Sequence, residues 1–453
     1  MREHTDMDRH ILGEFQIGEE SLLGEIIYNN ESGIIWLKLE QEVPKGIGKS
    51  YGSIPLIVGK LLTGTFISLY QNKCIKNHTQ QFSYQTVIFQ SRYMILGPTQ
   101  GKYNRLTCEL ENGLQWSGLS QVDMSEFPTV KFKGLGEHIY HWFNAKIKFS
   151  TSLSNDLFGF PRKEISRTIE RLTMEIESEE KQDVAFFVGV RDKVISLISF
   201  AIKDNINIEY QFFTDFDDYD MINGQINYSE RAFYSSEPRY QIFDVHLYDY
   251  NFTLQHLSDT ADIQDALTKL EPIFNLYLSL FRYRHMPPEM IFLNMVQALE
   301  TFHSRFFYND KKEKYIESVY ERFGRNPNFN HIEKLLLSDS QMDKNCNYII
   351  LVSRLNDLLI GQFNGLFSNF YMSENPYAQR IADTRHYYTH YGKSKEAKAF
   401  KGEDLLEAIY ILRLLLEYYI CQVLKVDIED VTREKLATIQ RNMVEKRNFL
   451  STV

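Results

Sequence analysis

The chain has 453 residues, with 60 Asp and Glu against 50 Lys and Arg, and its net charge of −10 excludes a protein that holds nucleic acid through overall basicity. Any RNA contact must come from a local patch. Four single cysteines, Cys74, Cys108, Cys346 and Cys421, exclude a disulfide framework or zinc ribbon; no apolar run reaches the roughly 18 residues of a membrane helix, and the start MREHTDMDRH is too polar for a signal peptide. The expectation is a cytoplasmic protein with no membrane partner, long enough for two or three domains.

From about Gly13 to Phe252 short apolar runs are broken by Gly, Pro and Asn. Polar and apolar residues alternate in Leu106–Leu110, Leu172–Ile176, Ile208–Phe212 and Phe243–Leu247, which predicts antiparallel strands with one wet face. The continuous runs Val184–Val190 and Val194–Ile202 read as central strands buried on both faces. A break near Ser150–Pro161 divides this region, residues 1–258, into two subdomains.

From Asp259 the period becomes helical. Asp259 or Thr260 can cap a helix running towards Tyr283, kinked or split at Pro272. Pro287 and Pro288 suit the first turn of a second helix through about Phe307. Residues 309–330 read as a loop with a short helix, followed by helices at about 331–337 and 346–367. A motif segment follows Asn375-Pro376 and stops at Gly392, a good C-cap residue. The last helix, about 403–425, carries Leu405, Ile409, Leu412, Leu416, Ile420 and Val423 on one stripe, widened by Leu406, Leu415 and Tyr419, and so is buried against more than one neighbour. The expected fold is α+β and multidomain: a β-rich region, an all-α bundle over 259–430, and a basic tail or helix over 431–453.

The motif segment reads RIADTRHYYTHYG from Arg380 to Gly392. Within it Arg385 and His390 form Arg-x4-His. Arginine offers a planar donor fork matched to phosphate oxygens, and histidine can give or take a proton near neutral pH. Five residues turn a helix by roughly 140°, so one copy cannot easily aim both groups at one atom. A kinked helix or a second copy across a two-fold axis answers this. Arg380 and His386 form an overlapping Arg-x5-His. The plain alternative is a surface arginine and a core histidine. His386 and His390 lie four apart, as metal ligands often do, with Asp383 as a possible third; a zinc-protease HExxH would need Glu where Tyr387 stands.

The residues RHYYTH, preceded by Asp383 and flanked by Leu-rich stretches, resemble the HEPN superfamily, and the strand-rich region before them resembles the layout of the ApeA-like anti-phage proteins. The resemblance implies a metal-independent endoribonuclease acting by 2′-OH transesterification, dimeric through the HEPN domain, with no cofactor. Arg385 and His390 would be catalytic, and His386 would fill the polar position after the arginine. Asp383 would orient His386 or Arg385, and Glu300 could pair with Arg385, an exposed helix glutamate being the alternative; Thr389 and Tyr388 complete the supporting set. The partners implied are RNA, with tRNA one candidate, and a phage-derived trigger sensed by the N-terminal region. A non-catalytic HEPN module binding a nucleotide or protein is the competing reading.

Two imitations fail. Gly48-Lys49-Ser50 lacks the glycine a phosphate loop needs where Val43 stands. Asp215–Asp220 lacks the glycine and glutamate of a calcium hand, which Asp220 and Ile226 occupy.

Overall fold

The computed structural model describes residues 9–28, 34–42, 51–79, 84–97, 102–110, 113–119, 122–123, 131–132, 136–156, 167–206, 208–214, 227–228, 254, 257, 261–282, 286–307, 351–360, 377–430, 432–435 and 437–438. The chain divides into two compact units, Met1–Thr260 with Phe281–Arg284, and Ala261–Leu280 with His285–Val453.

The first unit opens with β1 (Arg9–Ile17), β2 (Glu20–Tyr28), β3 (Ile35–Glu42), β4 (Ser53–Leu61), β5 (Phe66–Thr79), β6 (Tyr84–Ser91) and β7 (Tyr93–Leu96). Six of these follow the order β5-β4-β1-β2-β3-β6, and β6 pairs back onto β5, so the sheet closes into an antiparallel barrel. Alternation dictates its filling: Phe15, Ile17, Ile26, Ile35, Leu37, Leu39, Ile57, Leu69, Val87 and Phe89 form one buried core. Gly18, at φ +62°, makes the two-residue turn between β1 and β2. At Gly24 and Gly59 close approach demands glycine, since a Cβ there would meet the Phe15 ring at 3.0 and 2.6 Å. β7 and the two-residue β15 (Asn227–Tyr228) extend the sheet beyond β5. Buried polar groups inside satisfy one another: Ser91 Oγ donates to Asn72 Oδ1 at 2.7 Å, and Gln41 Nε2 to Gln85 Oε1 at 2.9 Å.

The second sheet has the order β11-β12-β13-β8-β14, formed by β8 (Lys102–Leu110), β11 (Glu137–Trp142), β12 (Ala145–Asp156), β13 (Arg167–Asp183) and β14 (Ile208–Thr214). Also described are a single turn, α1 (Leu114–Ser117), and the two-residue pair β9 (Val122–Asp123) and β10 (Lys131–Phe132). The strands expected at 106–110, 172–176 and 208–212 lie in β8, β13 and β14, whereas 243–247 falls outside the described residues. The chain passes from the first sheet to the second between β7 and β8, not near 150–161, and β15 later rejoins the first. There Ser150–Asp156 of β12 pairs in register with Arg167–Thr173 of β13, so Ser154 and Asn155 belong to a strand, while Gly159 and Pro161 lie outside the described residues.

A second correction concerns Val184–Ile202, expected as two strands and found as one helix, α2. Asp183 caps it, its Oδ1 accepting from Phe186 N at 2.8 Å, and Lys203 ends it at φ +54°. The helix packs on β13 and β8, and its narrow exposed side, Ala185, Gly189 and Asp192, carries one charged residue, too little to print the period that marks a helix. Burial pushes the Cys108 thiol up to about 12, so it stays a neutral part of this core.

The second unit is helical. α3 (Ala261–Tyr277) passes through Pro272 without ending there; the break comes at Leu278, before α4 (Ser279–Arg282), whose last two residues belong to the first unit. Burial of Ile263, Leu267, Leu270, Ile273 and Phe274 holds the helix on both sides of the proline, which forfeits one backbone bond. α5 (Pro288–Phe306) starts as expected with Pro287 at the cap, and buries Val296, Leu299 and Phe302. α6 (Leu351–Ile360) is the described part of the helix expected at 346–367, while 309–330, 331–337 and the tail beyond 438 lie outside the described residues. α9 (Glu403–Val423) packs on α5 and α3, and buries every residue from Ile411 to Cys421, although Leu406, placed on the widened stripe, is exposed. That burial takes in charge. Arg413 Nε donates to Glu417 Oε1 at 2.8 Å, and Tyr277 Oη donates to the same oxygen at 2.5 Å. No described helix is long and apolar enough to cross a membrane.

Candidate active site

The motif segment forms α7 (Tyr377–His390), which packs on α5 and α6 through Tyr377, Ala378, Ile381 and Thr384. Its first half is stitched into the fold. Asp383, 3% exposed, accepts from Lys395 Nζ at 2.6 Å and from Gln379 Nε2 at 3.1 Å. Thr384 Oγ1 donates to the Arg380 carbonyl at 2.7 Å and accepts from Phe400 N at 3.0 Å. Arg380 lies 4.1 Å over the Phe400 ring and pairs with Asp404 at 2.9 Å, which removes it, and with it the overlapping Arg380/His386 register, from the open part of the helix.

From Arg385 onward the helix emerges from the core. Arg385 is 40% exposed, and His386, Thr389 and His390 are exposed. At 100° per residue these four side chains fall within an arc of about 140°, and the His386 and His390 rings stand 4.8 Å apart. Thr389 Oγ1 donates to the Arg385 carbonyl at 2.7 Å, so its hydroxyl serves the helix backbone. Tyr388 Oη donates to the Phe400 carbonyl at 2.9 Å, and burial raises its phenol above the usual range. Tyr388 is therefore a tether.

Glu300, on α5, brings its Oε2 to 3.6 Å from Nη2 of Arg385. This contact joins two helices separated by 85 positions and is longer than a hydrogen bond. The expected role of Asp383 is corrected: its carboxylate is held by Lys395, not by Arg385 or His386, because the chain after α7 folds back through α8 (Lys393–Glu396) and delivers that ammonium. For the same reason Asp383 does not join His386 and His390, and among the described residues no group of three His, Cys, Asp or Glu is arranged for a metal.

The end of α7 also differs from expectation. The left-handed residue is Tyr391, at φ +49°, with its N–H on the Tyr387 carbonyl at 2.5 Å; Gly392, at φ −72°, begins the next turn instead. Two further features lay outside the sequence reading. Lys395 is one of four lysines in eleven residues, with no spacing to single it out. Behind the site His303 Nε2 meets Asp357 Oδ2 at 2.8 Å with both side chains fully buried, joining α5 to α6; His303 lies three residues after Glu300, where a lone helical histidine reads as core.

Residues 293–430 match the Apea-like HEPN family model, a span holding Glu300, Arg385 and His390, and residues 10–269 match ApeA N-terminal domain 1. No curated protein and no solved structure matches the chain. The N-terminal match alone covers more than half of the 453 residues, and the HEPN match takes in the motif helix and its neighbours; the chain belongs to the ApeA-like HEPN family, which points to anti-phage defence and a HEPN nuclease module.

Proposed function

We propose that the chain is a metal-independent endoribonuclease of anti-phage defence, with Arg385 and His390 as its catalytic pair and tRNA among its candidate substrates. The observation that carries this reading is the division of labour along α7: Asp383, Thr384, Arg380 and Tyr388 are bound inward, whereas Arg385, His386 and His390 are held outward on one arc. A helix that fastens its other polar groups and leaves a guanidinium and two imidazoles open suits an anionic ligand.

In the reaction the ribose 2′ oxygen attacks the adjacent phosphorus. The O2′–P bond forms and the P–O5′ bond breaks, leaving a 2′,3′-cyclic phosphate and a 5′-OH. An imidazole takes the 2′-OH proton and another returns one to the 5′ oxygen, while the guanidinium offsets charge gathering on the non-bridging oxygens. The 140° between Arg385 and His390 on one helix makes a second copy of the chain the natural source of the complementary groups. Glu300 keeps Arg385 extended at a distance that leaves its donors available for phosphate. The N-terminal unit would then receive the phage-derived trigger.

The test is cleavage of total tRNA in EDTA by the full-length protein and its Arg385→Ala and His390→Ala variants, with product ends mapped chemically. Wild type should leave cyclic-phosphate ends, and each variant should lose roughly 10²- to 10⁴-fold in rate. Equal cleavage by His390→Ala, or loss of activity in EDTA alone, would overturn the assignment.

A further inference from the structure

Helix α7 ends on a tyrosine in a conformation that side chains rarely adopt. Tyr391 sits at φ +49° with 66% of its surface exposed, although Gly392 beside it could take that backbone shape freely. The ring is not loose: its centroid lies 5.5 Å from that of Tyr387 and 6.3 Å from that of Tyr388, both edge-on. Backbone strain that keeps a large aromatic group in solvent calls for a use. The ring follows His390 directly in the chain.

Residues 391–401 carry Lys393, Lys395, Lys398 and Lys401 against one acid, Glu396. Two of these ammonium groups are engaged, Lys395 with Asp383 and Lys401 with Glu396. Lys393 and Lys398 are exposed, and among the described residues neither is in an ion pair. In a chain of net charge −10, this is a local basic patch with an aromatic ring, next to the open histidines.

We infer that this patch seats single-stranded RNA beside the cut. Tyr391 stacks on an unpaired base flanking the scissile phosphate, and Lys393 and Lys398 hold neighbouring phosphates. An exposed ring of this kind can stack only on a base splayed out of a duplex, and stacking tolerates any base because every base has a π face. The assignment rests on the ribonuclease reading for the position of the cut, and the binding measurement below stands apart from it.

The experiment uses full-length His390→Ala as parent, with a 5′-labelled single-stranded 12-mer RNA and a duplex of equal length, read by fluorescence anisotropy over a salt series. The parent should prefer the single strand. Tyr391→Ala should weaken it about tenfold or more, the size of one lost stacking contact, while Tyr391→Phe should stay within twofold. Tyr391→Gly separates stacking from folding: glycine relieves the positive φ, so its melting temperature should hold or rise while binding falls. Lys393→Gln with Lys398→Gln should lower the slope of log affinity against log salt by about 1.4, two phosphates' worth for single strands. No binding by the parent, equal binding of duplex, or Tyr391→Ala and Tyr391→Gly within twofold of the parent would overturn the proposal. If these variants lose binding but wild type cleaves nothing, the nuclease reading fails and the patch stands; if wild type cleaves and Tyr391→Ala binds and cleaves equally well, the reverse holds.

Discussion

Around Phe15 the barrel brings backbone close, leaving Gly24 and Gly59 with no room for a Cβ; around Glu417 the helical unit takes in an arginine and a tyrosine hydroxyl and lets them share a carboxylate oxygen. Both interiors are buried, yet one is ordered by shape and the other by paired charge. Shape tolerates no added atom, whereas paired charge tolerates no missing partner. The helical unit adds a second ion pair, Lys395 with Asp383, and a buried contact between His303 and Asp357, each tying two segments together. Directional contacts of this kind fix which turn of one segment meets which turn of the next, and α7 needs that if its last residues are to emerge in a set orientation.

The contrast can be broken first in the helical unit. Arg413→Leu strands the Glu417 carboxylate in the core and should cost about 3–5 kcal/mol, whereas Arg413→Leu with Glu417→Leu should recover most of it; denaturant unfolding followed by far-ultraviolet circular dichroism reads both. If the double variant is as unstable as the single, packing and not charge governs that site. In the barrel, Gly59→Ala sets a Cβ 2.6 Å from the Phe15 ring and 2.7 Å from the Glu14 carbonyl oxygen. It should cost about 1–3 kcal/mol, with part regained on adding Phe15→Leu; a fully neutral Gly59→Ala would mean that the barrel yields where rigidity is expected of it.

The smallest effect is a pH dependence. Burial, reinforced by Glu417, holds the Tyr277 phenol well above its usual range. Below about pH 10 the hydroxyl is protonated in both states and its contribution is intact. Above that the unfolded chain releases a proton the folded chain keeps, so stability falls as pH rises, by up to about 1.4 kcal/mol per unit for one group. Tyr277→Phe should flatten that fall in melting curves at pH 10–11.

Strands such as Leu106–Leu110 and Leu172–Ile176 were legible because polar residues alternate with core ones there, although Thr107 and Thr173 are themselves buried. Helix α2 was not, since an exposed side made of Ala185, Gly189 and Asp192 shows almost no polar face; the local sign that survived is Asp183, placed to cap the run. At the candidate site, the open residues of α7 were legible as a short motif, and the proximity of Glu300 to Arg385 followed only from the family resemblance, since 85 positions of chain carry no periodic signal. The partner of Asp383 was hidden because Lys395 is set by a chain reversal that no spacing encodes. The rule that glycine ends a helix was overruled by one residue, as Tyr391 accepted the left-handed turn in its place.

Strand β5 changes neighbours along its length: residues 66–73 pair with β4, 67–70 also with β7, and 73–79 with β6, the last after a left-handed Gln71 and with a register shift between Cys74 and Lys76 within it. The closing of the barrel is thus delegated to one stretch of chain that must keep count twice. A single residue inserted between β7 and β8 would only lengthen a connection, but the same residue inserted at Gln71 would send the following side chains to the opposite face of the wall and leave β3 and β6 without a route back to β4.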